Sequence, residues 1–199
     1  YVQDYMNNVV IYKPATPGYE NAPTVILQGH MDMVCAKCPE IEHDFTKDGL
    51  KLVVKDGFLS AEGTTLGGDD GIAVAYGLAL LDSTDLPHPA LEVVFTVDEE
   101  TGLLGADGFD CSLLKGRRMI NLDSEKEGCL WVSCAGGVAG NSYLPVRRVD
   151  ASGRKVNVKV CGLVGGHSGA EIHKNRASAN ILMGQFLYEL SHVRGYALK

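Results

Sequence analysis

The chain has 199 residues, 45% of them hydrophobic and 22% charged, enough apolar content to bury a core in one or two domains. Its formal net charge is −7 and no basic stripe with interleaved aromatics appears, which argues against nucleic acid as a partner. No apolar run approaches the roughly 20 residues needed to span a bilayer, and no charged-then-apolar leader directs export, so the expectation is a cytoplasmic protein with no membrane partner.

The chain starts at Tyr1 directly in strand-like sequence (Asn8-Val9-Val10-Ile11-Tyr12) and reads as a piece of a longer protein or a processed one. Val25-Ile26-Leu27 is a continuous apolar run, a buried strand over 24–27 that ends in Gln28-Gly29-His30-Met31-Asp32. Residues 50–59 read as a hairpin, because Asp56-Gly57 supplies the positive φ angles of a tight turn. A helix follows over 71–81, apolar nearly all round and therefore expected to be covered on every side, with Asp69 just before it. Pro87-His88-Pro89 separates it from a β-rich run over 91–97 that ends in Asp98-Glu99-Glu100. Residues 118–122 form another such run, ending at Asp123. This alternation predicts an α/β fold with a mainly parallel sheet covered by helices.

The small-residue stretch from Cys134 to Gly140 marks a domain boundary. Beyond it, residues 155–160 alternate strictly and read as a half-exposed strand of an antiparallel sheet. Residues 177–193 form an amphipathic helix with Ala179, Leu182, Phe186 and Leu190 on one face, ending before Gly195. The domains are accordingly 1–135 and 136–199. The six cysteines are expected to stay reduced, and Cys35-Ala36-Lys37-Cys38 is read as a coincidental pair, since no second pair at zinc spacing exists.

His30, Asp32, Asp69, Glu99, Glu100 and Asp123 each have a bland reading when taken singly: a solvated turn, a helix N-terminus, a strand–loop junction. Together they do not, because strands of an α/β sheet aim their carboxyl ends at one crevice. Carboxylates gathered there repel unless protons or cations compensate, and a metal pair removes the conflict.

The phrases His30-Met31-Asp32-Met33-Val34, Gly63-Thr64-Thr65-Leu66-Gly67-Gly68-Asp69-Asp70-Gly71, Thr96-Val97-Asp98-Glu99-Glu100-Thr101-Gly102, Asn121-Leu122-Asp123-Ser124-Glu125 and Gly165-Gly166-His167-Ser168-Gly169 occur in this order. Over nearly the whole chain they resemble the aminoacyl-histidine dipeptidases, within the wider family of di-zinc peptidases and deacylases. Gly68 and Asp70 depart from that branch, where Ala and Asn are expected. The resemblance implies that His30 and Asp123 hold one zinc, Glu100 helps hold the other and Asp69 bridges both, with Co²⁺ or Mn²⁺ as substitutes. It implies that Asp32 fixes the His30 tautomer. Glu99 would be the general base, and Ser124 and Glu125 would stand outside the ligand set. The bond between Asp69 and Asp70 is cis in the resembling family.

By the same resemblance, 1–135 is a partial catalytic domain and 136–199 the beginning of an α+β lid and homodimerisation domain. There His167 would help stabilise the oxyanion, against the simpler reading of a loop histidine satisfied by Ser168. The implied activity is hydrolysis of small peptides, namely unblocked dipeptides, with Xaa-His a candidate class. Two alternatives stand beside it: an N-acyl amino acid deacylase or carboxypeptidase, and a non-catalytic homologue acting through its lid. The family's later histidine ligand has no counterpart, since none of His43, His88, His173 or His192 sits in a matching motif.

Overall fold

The computed structural model describes residues 1–124, 126–134, 136–138, 140–148, 150, 152–166 and 171–198. They divide into two compact units, Tyr1–Leu130 and Trp131–Lys199.

The first unit is built on a five-stranded sheet. Its strands are β1 (Val2–Gln3), β2 (Val9–Lys13), β3 (Val25–His30), β6 (Leu91–Thr96) and β7 (Arg118–Asn121), in spatial order β1-β2-β6-β3-β7. β3 pairs in parallel with both β6 and β7, whereas β2 runs antiparallel to β6 and β1 antiparallel to β2. The sheet is thus mixed, and parallel where the acidic and histidine termini lie. Every residue of β6 is buried, including Glu92, whose carboxylate accepts the Lys115 and Gly116 N–H groups. Its side chains alternate between two small cores. Val94 joins Val10 and Ile26 on one face, against Phe109, Leu113 and Leu114. Val93 and Phe95 join Leu27 on the other, against Val74, Leu80 and Leu81.

Helix α1 (Gly68–Asp82) covers that second face. Asp69 and Asp70 have non-helical backbone angles, so regular helix begins at Gly71, where the apolar periodicity places it. Two glycines set how closely it packs. A Cβ at Gly77 would lie 2.8 Å from Phe95 Cζ and 2.9 Å from Val93 Cγ1, and one at Gly29 would lie 2.3 Å from Ala73 Cβ. At the far end Lys13 Nζ donates to the carbonyls of Leu80 (2.7 Å) and Ser83 (2.5 Å), placing a cation on the helix C-terminus. The expectation of a helix covered all round fails here. Only Asp70, Ala73 and Gly77 are buried, and Ile72, Tyr76 and Leu78 are each more than half exposed. The helix meets a single layer, the sheet, so its outer apolar residues have nothing to pack against among the described residues of this unit.

Strands β4 (Leu52–Lys55) and β5 (Phe58–Ala61) form the expected hairpin, with Asp56 and Gly57 at φ 52° and 81°. A four-residue helix, α2 (Leu104–Asp107), and a 3₁₀ turn at Cys111–Leu113 lead into β7.

In the second unit, helix α3 (Ala179–Val193) starts at Ser178, whose Oγ accepts the Ile181 N–H, and stops before Gly195. The segment 155–160 is not a strand, contrary to its alternation. No second segment of this unit pairs with it among the described residues, and without a partner an extended backbone gains no ladder of hydrogen bonds. All six cysteines are free thiols.

Candidate metal centre

The parallel register puts the ends of β3, β6 and β7 side by side. His30, the last residue of β3, sits opposite Thr96 of β6. Leu122, just past β7, donates its N–H to the Gln28 carbonyl at 2.9 Å, which holds Asp123 close to the end of β3. From the helix face comes the Asp69–Asp70 pair, joined by a cis peptide bond.

His30 is the buried centre of this arrangement, with 1% of its surface exposed. Its two ring nitrogens face different partners. Nδ1 lies 3.0 Å from the Asp32 carbonyl and 3.2 Å from Asp32 Oδ1, while Nε2 lies 3.1 Å from Asp69 Oδ1 and 4.0 Å from Glu99 Oε2. Asp32 does more than orient the ring: its two carboxylate oxygens accept the backbone N–H groups of Glu99 and Glu100, each at 3.1 Å. One side chain therefore fixes both the histidine and the acidic turn after β6.

The potential ligand atoms gather in two sets that share the histidine. His30, Asp69 and Glu100 form one, and His30, Asp70 and Asp123 the other, with the atoms of each set within 4.8 Å of one another. His43, His88, His173 and His192 enter neither set. Asp70, marked in the sequence only as a departure from the resembling branch, is the member not expected among the ligands. It is 2% exposed, and its Oδ2 accepts the His30 backbone N–H at 3.2 Å. Glycine at position 29 makes room for that carboxylate: a Cβ there would fall 2.5 Å from the same Oδ2. Glu125 and His167 lie outside the described residues.

The electrostatics reflect the crowding. Burial opposes a charge on His30, but the Asp69 hydrogen bond and the carboxylates of Asp123, Asp32 and Glu99 outweigh it and raise its pKa. Burial pushes the Glu99 carboxyl up, His30 pulls it back, and Asp123, Glu100 and Asp32 push it further up. Burial also raises Asp70, with the His30 N–H countering and Asp123 adding to the rise. Asp32 goes the other way, because the donors from Glu99 and Glu100 overcome its burial. One imidazole among carboxylate oxygens is the donor chemistry of a borderline divalent cation such as zinc.

On the opposite sheet face from α1, a cavity of about 310 Å³ runs between Ile26, Val94, Phe109, Leu114 and Met119, with Glu99 and Asp123 also in its lining. It is mostly apolar, with the Glu99 and Asp123 carboxylates among its polar groups.

No family model matches the chain. It is 42% identical over 187 residues to the cytosol non-specific dipeptidase of Escherichia coli, covering 93% of this chain and 39% of that protein. It is 38% identical to the crystal structure of aminoacylhistidine dipeptidase from Vibrio alginolyticus, with a TM-score of 0.64. The chain is a relative of these dipeptidases. That structural match covers 94% of this chain and 38% of the crystallised one, so the dipeptidase relative spans well under half the length of the proteins it matches. It is also 32% identical over 112 residues to the uncharacterized protein YqjE of Bacillus subtilis, covering 54% of this chain and 28% of that one. No helix among the described residues is long and apolar enough to cross a membrane.

Proposed function

We propose that the chain carries the metal-binding part of a dipeptidase that hydrolyses unblocked dipeptides, Xaa-His among the candidates. The observation behind this is the convergence of His30 with Asp69, Glu100, Asp70 and Asp123 in two sets, in a chain 42% identical to a dipeptidase. His30 and Asp123 would hold one zinc, Glu100 the other, and Asp69 would lie between them, with Co²⁺ or Mn²⁺ able to substitute. A divalent cation held there supplies a Lewis acid for the scissile carbonyl and brings the pKa of a bound water down toward about 7. The remaining chemistry belongs to the protein. Glu99, whose Oε2 is 4.0 Å from His30 Nε2, takes the proton of the attacking water and passes it to the leaving amine. Asp32 keeps the His30 ring in place and holds the Glu99 and Glu100 backbone. His167 contributes an oxyanion donor.

Residues 1–135 are the catalytic domain, 136–199 the start of a lid through which two copies associate, and the protein works in the cytoplasm. A free dipeptide and its N-acetylated form offered to the full-length protein, with and without chelator, test the reading. Turnover of the free dipeptide that zinc restores after chelation is the expected result. Preference for the acetylated form would make the protein a deacylase, and zinc binding without turnover a non-catalytic homologue.

A further inference from the structure

Glu99 and Glu100 sit on a loop that leaves β6 at Thr96 and returns at Gly105, in α2. The loop has an unusual backbone: Asp98 and Leu103 are at φ 53° and 63°, left-handed angles that residues with a Cβ seldom adopt. Surrounding structure must impose them. At its far side Asp32 does so by accepting the Glu99 and Glu100 N–H groups.

The neck of the loop is held by a residue that precedes another strand. Asn8, directly before β2, is completely buried. Its Oδ1 accepts the Val97 N–H at 3.0 Å on the outgoing side, and its Nδ2 donates to the Gly105 carbonyl at 2.9 Å on the returning side. The second Nδ2 hydrogen goes to Asp4 Oδ2 at 2.8 Å, which sets the orientation of the amide. Asn alone among side chains of this size offers a donor and an acceptor on one rigid plane. Between the two sides of the neck, the Gly105 N–H donates to the Val97 carbonyl at 3.1 Å. The closure leaves no room for a side chain: a Cβ on Gly105 would lie 2.2 Å from Val97 O and 2.7 Å from Asn8 Oδ1.

From this geometry we infer that Asn8 is a positioning residue for Glu99 and Glu100, clamping their loop at its neck as Asp32 clamps it at its tip. The inference rests on the metal-site reading of those two glutamates. It makes the antiparallel edge of the sheet, remote in sequence from every ligand, part of the machinery.

The test compares Asn8→Ala with Val10→Ala in the full-length protein, below the unfolding transition of both. Val10 is equally buried, lies two residues along and packs in the core with Ile26 and Val94. It therefore reports loss of stability without loss of the clamp. Zinc affinity by calorimetric titration is the primary readout, and kcat and KM for a free dipeptide the second. The expectation is that Asn8→Ala weakens zinc binding by about 10–100-fold, the usual effect of removing a residue that orients ligands, and lowers kcat far more than it raises KM. Val10→Ala should change neither beyond about threefold on that scale. If Asn8→Ala does not fold, Asp4→Ala takes its place, since it leaves Asn8 present but frees its amide to turn. Zinc binding and kcat in the clamp variant equal to those of Val10→Ala would overturn the inference alone. Wild-type protein that binds no zinc would overturn the metal-site reading and this inference with it.

Discussion

Adjacent glutamates at the end of β6 divide their surroundings sharply. Glu99 reaches toward His30 and forms part of the apolar cavity's lining, whereas Glu100 is exposed and belongs to the ligand set of His30 and Asp69. Replacing Glu99 by Ala in the full-length protein should leave metal content near normal and reduce turnover by about 10²–10⁴-fold, the range for losing a general base. Glu100→Ala should instead lose metal. Metal analysis beside kcat decides it, and the reverse pattern would exchange the two roles. Both glutamates, His30, Asp32, Asp69 and Asp123 could be picked out in the sequence because each closes a β-rich run or opens a helix. Asp70 and Asn8 could not. Asp70 reads as the second of two N-terminal acids, a type well suited to a helix dipole, and only the fold shows its carboxylate turned inward against Gly29, where a Cβ would fall 2.5 Å from Oδ2. Asn8 looks like any turn residue, since its partners Val97 and Gly105 are about ninety residues away in sequence.

Local periodicity locates elements well and covers poorly. The strands 24–27, 91–97 and 118–122 and both long helices fall close to their observed positions, because apolar runs and caps act within a few residues. Whether an apolar helix is covered, or an alternating segment finds a partner, depends on what lies across from it. That is why α1 shows one bare face and 155–160 is not a strand. The covered face of α1 makes its own prediction at Gly77. Ala there would gain up to about 1 kcal/mol of helix propensity. Its Cβ, however, would lie 2.8 Å from Phe95 Cζ and 2.9 Å from Val93 Cγ1. Overpacking of this kind costs about 1–3 kcal/mol, so Gly77→Ala should lower the thermal midpoint. A rise in that midpoint would mean that the helix and β6 separate more easily than their packing suggests.

Asp69, Asp70, Glu100 and Asp123 gather negative charge around His30 at the end of β3, and at the scale of the whole molecule a ligand that binds only the folded state must stabilise it. Zinc at 100 times its dissociation constant should add about 2.7 kcal/mol to the stability of the full-length protein. Thermal unfolding with zinc and with chelator measures this, and coincident transitions would show that the folded protein has no preferential site. The ordering of fold and site is visible at this scale. The α/β class follows from alternation that any window of sequence displays, whereas the two ligand sets need β3, β6, β7 and α1 in register at once.

His30 stands in both candidate ligand sets, yet only Nε2 turns toward Asp69 and Glu99, because Nδ1 is committed to Asp32. A single lone pair cannot serve two cations. Whichever ion takes the imidazole leaves its neighbour with carboxylate oxygens alone from these residues. Two cations bound as proposed would therefore be held unequally, and occupancy should proceed as a ranked sequence rather than as two independent events. A zinc titration of the full-length protein should resolve two steps of different affinity, and the tighter one should disappear in His30→Ala while the weaker persists.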